Sequence, residues 1–138
     1  MAYVVEKGEG EIPLISNAFG NINVYQKAIN ATSMRQEAIL SNMANVDTPG
    51  YKRKDVVFES MLQDALRMNG NKIHKVNLNK INPTMVIDKK NLSYRMDGNN
   101  VNIDTETVEA AKNQLRYNAL VDRVNASFER LTASMKNR

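Results

Sequence analysis

The sequence predicts a mainly α-helical protein in which long N- and C-terminal helices pack as a coiled coil, with an irregular central segment holding a short helix and a small β-hairpin. Apolar residues recur at alternating steps of three and four near both ends of the chain. Turn-forming residues separate these two periodic segments. The composition is 42% hydrophobic but only 6% aromatic, with no tryptophan, which favours paired helices over a thick core.

A chain of 138 residues is expected to form one structural unit. We divide it into a flexible N-terminal leader at 1–14, an N-terminal assembly helix at 15–45, a central loop with a small β region at 46–103, and a C-terminal assembly helix at 104–138. The leader is polar and contains no apolar run of the length that a signal peptide needs. We therefore expect no cleaved signal peptide.

The N-terminal helix is predicted to end near Ala44. The next six residues, 45–50, are dense in turn formers, and Pro49 disfavours a helical conformation at the residue before it. Gly50 is free to take a positive φ angle in this turn. We therefore expect the chain to change direction here.

One face of this helix is apolar apart from a polar gap at Thr32 and Gln36. The spacing of its apolar residues is that of a coiled-coil heptad. We expect this face to be an assembly seam, formed by Ile22, Tyr25, Ile29, Ile39 and Met43.

The central segment has no long periodic pattern. Residues 55–68 are predicted to form a short helix that stops at Asn69-Gly70. Residues 72–96 alternate loosely between apolar and polar, which predicts two or three short strands broken at Asn82-Pro83 and Asp97-Gly98. The many Asn and Lys residues are equally typical of a solvated, partly mobile segment.

The C-terminal helix has the most regular pattern in the chain. Its N-cap is predicted to be Asp104 or Thr105, and acidic residues at its start and Lys136 at its end suit the helix dipole. Four-three spacing predicts a second assembly seam, formed by Tyr117, Val121, Val124, Phe128, Leu131 and Met135.

No set of residues in the sequence predicts catalysis. Cysteine is absent, and one histidine, His74, does not make a metal site by itself. No phosphate-binding glycine loop or nucleophile elbow occurs. The net charge of +4 is spread along the chain, and the one tight basic cluster, Lys52-Arg53-Lys54, is predicted to be a solvated face or a donor of salt bridges between subunits. We expect no enzyme activity, cofactor, metal or nucleic acid.

The turn after the first helix carries a resemblance to a known family. Residues 41–52 read SNMANVDTPGYK, which resembles the signature of the flagellar rod, hook and hook-associated proteins. The residues 53–62 that follow, and the pattern from Asp97 to Asp104 with Glu106 after it, are most similar to proximal rod proteins of that family. Glu106 is followed by Thr107 where the family tends to have Met. The motif positions matched are Asn42, Ala44, Asn45, Thr48, Pro49, Gly50, Tyr51 and Lys52.

The resemblance implies a structural subunit of the proximal rod of the bacterial flagellar basal body. Such a subunit polymerises through its terminal helices into the shaft that transmits torque, and catalyses nothing. It is exported through the flagellar type III apparatus and assembles in the periplasmic space. The implied partners are other copies of the chain, other rod proteins, and the base adaptor, membrane ring and export-gate proteins, without direct insertion into the membrane.

Two alternatives stay open at this point. The chain resembles other axial proteins of the same family, and the weakly patterned central segment does not separate these from a proximal rod protein. A helical adaptor that binds one partner helix and never polymerises has similar amphipathic helices. An adaptor forms a discrete complex, whereas a rod subunit forms an open polymer.

Overall fold

The computed structural model describes residues 12–72, 76–88 and 95–136, and the side chains of the first helix from residue 21 onward. The described chain is mainly helical, with two long terminal helices and a small antiparallel sheet, as the sequence predicts. In chain order the elements are α1 (Ile12–Ala44), β1 (Lys54–Val57), α2 (Glu59–Met68), a short 3-10 turn (Leu78–Lys80), β2 (Thr84–Ile87) and α3 (Ile103–Lys136).

The two long helices pack against each other. Asn42 near the end of α1 is bonded to Glu106 near the start of α3, and Thr32, earlier in α1, is bonded to Asn113, later in α3. The order of contacts reverses between the two helices, so α3 runs antiparallel to α1. The predicted end of α1 near Ala44 is confirmed, but α1 begins at Ile12 and not at residue 15, so residues 12–14 of the predicted leader are helical.

A second face of α1 packs against the central segment. Val24, Ala31 and Ala38 are buried and repeat every seven residues, as expected for a helix face that contacts a partner throughout. Ala31 belongs to a core cluster in which the other buried members are Phe58, Val76 and Ile81, with partly buried side chains of α2 around them. Burying one large apolar side chain of this kind stabilises a fold by about 1.5–3 kcal/mol.

The small sheet consists of β1 and β2, and its register pairs Lys54 with Ile87 and Val57 with Thr84. Residues 55–57 lie in β1 and not in a helix, so the predicted helix at 55–68 begins too early, and α2 starts at Glu59. The segment forms a strand because both of its edges receive hydrogen bonds, from β2 on one side and from α1 side chains on the other. Residues 58–83 connect the strands, so the sheet is not a hairpin.

Other expectations for the central segment have mixed outcomes. The end of α2 before Asn69-Gly70 is confirmed, and positive φ angles at Gly70 and Asn71 (62° and 59°) turn the chain there. Of the residues in the predicted strands, Val76 lies in a bend and Leu78 in the 3-10 turn instead. Residues 73–75, with His74, and residues 89–94 lie outside the described part of the chain.

The helix α3 begins one residue earlier than predicted, and its N-cap is Asn102. The side-chain oxygen of Asn102 accepts hydrogen bonds from the backbone N–H groups of Asp104 at 2.8 Å and Thr105 at 3.2 Å. The predicted caps, Asp104 and Thr105, are therefore the residues whose N–H groups are capped. Asparagine is among the most favourable N-cap residues because its short side chain reaches these free donors.

Candidate assembly site

Asn42 lies at the centre of a buried hydrogen-bond network at the end of α1. Its amide nitrogen donates to the backbone carbonyl of Lys54 at 2.8 Å and to a carboxylate oxygen of Glu106 at 3.0 Å. Its amide oxygen accepts from the backbone N–H of Lys54 at 2.8 Å and from the Tyr51 hydroxyl at 3.3 Å. On the edge of β1 that faces α1, the Asn42 side chain thus makes the two backbone hydrogen bonds that a neighbouring strand would make. The same side chain joins this edge to α3.

The second anchor of the network is Glu106, which has no solvent exposure. Its other carboxylate oxygen accepts a hydrogen bond from Nε of Arg53 at 2.5 Å. A buried carboxylate is costly unless it is paired and hydrogen-bonded. Burial disfavours the charged form of Arg53, but hydrogen bonds and attraction to Glu106 and Asp55 together outweigh it and raise the pKa of the guanidinium. Arg53 thus pairs within its own chain, so the solvated or inter-subunit role predicted for the cluster Lys52-Arg53-Lys54 is wrong for Arg53, whereas Lys52 is exposed.

The turn after α1 is held by Asn99, which is also fully buried. The Asn99 amide nitrogen donates to the carbonyl oxygens of Asn45 and Val46 at 2.9 Å and of Thr48 at 2.8 Å. Since an amide group has two N–H bonds, three acceptors share them. The Asn99 oxygen accepts from the backbone N–H of Val101 at 2.7 Å. This one residue fixes the turn after α1 against the loop before α3.

Two glycines let these segments approach closely. Gly50 and Gly98 have φ angles of 72° and 78°, a conformation that residues with a Cβ rarely adopt. The positive φ expected at Gly50 is thus confirmed. The Gly50 N–H donates to the carbonyl of Asp97 at 2.9 Å, and Nζ of Lys52 donates to the carbonyl of Gly98 at 2.6 Å.

The remaining motif residues divide between an inner and an outer side. The Asn45 side chain donates to the carbonyl of Ser41 at 2.7 Å and accepts from the Thr48 hydroxyl at 3.2 Å. Ala44 and Pro49 are exposed. Asn45 therefore stabilises the end of α1 and the turn that follows it, whereas Ala44 and Pro49 form part of an exposed surface.

An ion pair connects the middle of α1 to the start of α2. The Arg35 guanidinium donates to both carboxylate oxygens of Glu59 at 2.6 and 2.7 Å, and also to the carbonyl of Val56 at 2.9 Å. These hydrogen bonds from Arg35 hold the pKa of Glu59 below its usual value, while burial acts in the opposite direction. The pair fixes the position of α2 on α1.

The polar gap in the first predicted seam has a partner on α3. The Asn113 amide nitrogen donates to the carbonyl of Thr32 at 2.9 Å and to the side-chain oxygen of Gln36 at 3.1 Å. Asn113 is 2% exposed, and its own side-chain oxygen has no hydrogen-bond partner in the described part of the chain. A polar residue opposite this gap fixes the register between the two helices.

The two predicted seams lie on the helices that pack together, but they are covered unequally. In the N-terminal seam, Ile39 is buried and the other members, Ile22, Tyr25, Ile29 and Met43, are partly buried. In the C-terminal seam, Val121, Val124 and Leu131 are partly buried, whereas Tyr117, Phe128 and Met135 are 39%, 51% and 77% exposed. The C-terminal seam therefore keeps three large apolar side chains that this chain leaves exposed.

Sequence reasoning does not identify Arg35, Asn99 or Glu106 as parts of the network. In the sequence, Glu106 suits the helix dipole and Asn99 lies in a turn, and both belong to the pattern that resembles the family, but nothing there indicates that their side chains are buried. A signal for Arg35 exists, because Arg35 and Asn42 lie at three-four spacing with the buried alanines of α1. A polar residue in phase with a buried face indicates an internal polar contact.

The described residues give no indication of metal chemistry or of a membrane span. Among them, no group of His, Asp and Glu side chains is arranged to hold a metal ion. No described helix combines the length and apolar character needed to cross a membrane.

Comparisons with known proteins agree on one family. Residues 22–52, which include the end of α1 and the motif, match the family model described as flagella basal body rod protein. The chain is 35% identical over 116 residues to the flagellar basal body rod protein FlgB of Bacillus subtilis, covering 81% of this chain and 90% of the relative. It is 37% identical over 123 residues to FlgB of Aquifex aeolicus, covering 87% and 96%. FlgB of Buchnera aphidicola is 37% identical over 107 residues, covering 69% and 78%.

Proposed function

Because the chain belongs to the FlgB family of flagellar basal body rod proteins, we propose that it builds the proximal rod by polymerising through its two terminal helices. Its role is structural, in the rod of the flagellar basal body, and its relatives belong to no catalytic family. The observation that carries the polymerisation proposal is that the seam residues Tyr117, Phe128 and Met135 of α3 are exposed in the single chain.

The seam of α3 exposes large apolar side chains in the single chain. Phe128 and Met135 are each more than half exposed, and they follow the same spacing as the partly buried Val121, Val124 and Leu131. When a neighbouring helix covers only part of a seam, the helix that carries the seam typically packs on other chains as well. Contacts of one surface with a different surface of the next subunit generate a helical tube when the operation that relates successive subunits does not close.

The buried network is proposed to make each subunit stiff enough to transmit torque. Asn42, Asn99 and Glu106 fasten the end of α1, the motif turn and the start of α3 to one another. A twisting load on α1 therefore passes to α3 through a fully hydrogen-bonded joint rather than through a mobile loop. In this proposal the motif residues act as a structural joint and the two seams act as the contact surfaces.

The partners of a rod protein are other components of the rod and basal body. We propose that the contacts are made with further copies of this chain and with other rod proteins along the seams, and with the base adaptor, membrane ring and export-gate proteins at the base of the rod. We also propose that the chain assembles in the periplasmic space after type III export, led by residues 1–11, the part of the predicted leader 1–14 that precedes α1. Supporting this, the leader is polar and contains two glycines, so it threads at little cost in unfolding.

Replacement of Phe128 by Asp tests the polymerisation proposal. Because Phe128 is half exposed in the single chain, the charge costs the monomer little, but a dry contact with a neighbour would have to bury it at a cost of several kcal/mol. We expect a folded, exported protein that does not enter basal bodies and cells that do not swim. Glu129→Gln, on an exposed neighbouring position, is the control. Normal swimming by the Phe128→Asp strain would contradict the proposal, and a discrete complex with one partner would favour a helical adaptor.

A further inference from the structure

Within the described part of the chain, the backbone groups on the outer edge of β2 have no hydrogen-bond partner. The Asp88 N–H donates to the carbonyl of Arg53 at 2.7 Å. Opposite residues in an antiparallel pair alternate between those that exchange hydrogen bonds and those that do not. The register therefore directs the N–H and C=O groups of Met85 and Ile87 away from β1. On β1 the same alternation turns Lys54 toward α1, where Asn42 binds both of its backbone groups.

Nothing in the sequence of β2 protects this edge. Natural edge strands are usually blunted by short length, charged residues, proline or a bulge; β2 is short, with 4 residues, but its sequence Thr-Met-Val-Ile contains no charge and no proline. Met85 and Val86 are each 37% exposed and Ile87 is 56% exposed, so both faces of the strand are open as well as its edge. A two-stranded sheet is marginal in water, and a third strand with apolar side chains would stabilise it.

A segment of suitable chemistry occurs in the leader. Residues 2–6 read Ala-Tyr-Val-Val-Glu, and tyrosine and valine are among the residues most favoured in strands. The middle of this segment is uncharged, like β2, and Gly8 and Gly10 separate it from α1. An extended segment that pairs with a sheet edge gains main-chain hydrogen bonds together with side-chain contacts on both faces.

The length of the leader determines whether residues 2–6 can reach β2 of their own chain. Met85 pairs with Val56, whose carbonyl is bonded to Arg35. From Ile12 to Arg35, α1 rises about 35 Å, at about 1.5 Å per residue. The chain from Val5 to Ile12 spans at most about 24 Å when fully extended. The leader therefore falls about 10 Å short of the β2 edge of its own chain.

We propose that residues 2–6 of one copy pair as a third strand with the outer edge of β2 in a neighbouring copy. This inference rests on the proposed function, because neighbouring copies meet in the rod. The strand would add a second contact between subunits, independent of the helix seams, and would couple each central segment to the leader of the next copy.

Disulfide cross-linking tests this pairing against a clean background, since the chain has no cysteine of its own. One copy, the acceptor, carries Ile87→Cys, and another copy, the donor, carries either Val4→Cys or Val5→Cys. Because neighbouring side chains of a strand point to opposite faces, the two donors test both possible orientations of the leader strand. Cells expressing each pair are treated with a mild oxidant, and purified basal bodies are examined for a dimer on non-reducing gels. The control acceptor carries Asp64→Cys, on an exposed position of α2.

We expect the Ile87→Cys acceptor to give several-fold more dimer than the Asp64→Cys acceptor with at least one of the two donors. Adding Met85→Pro to the acceptor should abolish this excess, because it removes an outward N–H and leaves the bonds to β1 intact. If neither donor gives more dimer than the Asp64→Cys control, the proposal is overturned while the rod function stays intact. The same holds if a single chain that carries both cysteines forms the disulfide within itself. Absence of the unsubstituted chain from basal bodies would overturn both.

Discussion

Asn42 and Glu106, which are 64 positions apart, share a 3.0 Å hydrogen bond between two side chains that have no solvent exposure. The bond joins the last turns of α1 to the first turns of α3. Because Asn42 also binds both backbone groups of Lys54, this one amide connects three elements of the fold. Its loss would leave several buried polar groups unpaired at once.

We expect Asn42→Ala to lower the free energy of unfolding by about 3 kcal/mol or more, since each buried group left without its partner costs about 1–3 kcal/mol. Urea unfolding followed by circular dichroism measures the change. Asn30→Ala, at an exposed position of the same helix, should change stability by less than about 0.5 kcal/mol. Similar effects of the two substitutions would contradict the central role of Asn42.

The sequence predicts the terminal helices well because each has a long apolar repeat. It does not predict the joint, because the contacts of Asn42 and Asn99 connect residues that are far apart in the chain and depend on tertiary packing. The sequence does not predict the strand at 54–57, for a related reason. Its apolar residues suit a short helix equally well, and what makes it a strand is hydrogen bonding to β2, to Asn42 and to Arg35.

The polar gap on α1 is visible in the sequence, but its partner is not. Thr32 and Gln36 interrupt the apolar seam, and Asn113, four residues before the seam residue Tyr117, fills the gap from α3. A repeat identifies which face of a helix is buried, but not which residues of two helices come into register. That register depends on the length and path of residues 45–102, which have no periodic pattern.

Asn113→Asp should be strongly destabilising. The Asn113 amide nitrogen donates to the Thr32 carbonyl and the Gln36 side-chain oxygen, both of which are acceptors. A carboxylate there would face two acceptors in a buried site, and we expect a loss of about 2–4 kcal/mol in unfolding free energy at pH 7. Asn125→Asp, at an exposed position of α3, is the matched control. A stability loss below about 1 kcal/mol would show that the site is accessible to water.

The Arg35–Glu59 pair predicts how stability depends on pH. Its hydrogen bonds lower the pKa of Glu59 in the folded chain below the ordinary value of 4.5. The pair therefore stabilises the fold above the unfolded pKa, and this contribution is lost as pH falls through the folded pKa. We expect Glu59→Gln to be less stable than the parent at pH 7 by about 0.5–1 kcal/mol, since the carboxylate is half exposed.

Urea unfolding of both proteins from pH 7 to pH 3 tests this dependence. The difference between the parent and Glu59→Gln should shrink as pH falls below about 4.5. Asp64→Asn, on the same helix at an exposed position, should not reproduce it. A difference that is constant over the whole range would mean that the Glu59→Gln substitution perturbs packing rather than removing a charge.

Amide hydrogen exchange should differ between the two halves of α3 in the free monomer. Both buried residues of this helix, Glu106 and Asn113, lie in its first half, and isolated helical turns are marginal in water. We expect slow exchange at residues 106–113 and fast exchange at residues 120–136. In the assembled rod the second half should become protected. Equal protection of both halves in a verified monomer would contradict the view that α3 needs neighbours.

Deletion of residues 2–11 should reduce secretion of the chain. The proposed export route begins with a polar leader that enters a narrow channel, and the deletion removes it while leaving α1, which starts at Ile12, intact. Val4→Pro is the matched variant, because it blocks strand pairing but keeps a polar, extendable leader. We expect secretion of Val4→Pro at the parent level and accumulation of the deletion variant in the cytoplasm. Undiminished secretion of the deletion variant would restrict the leader to a role in assembly.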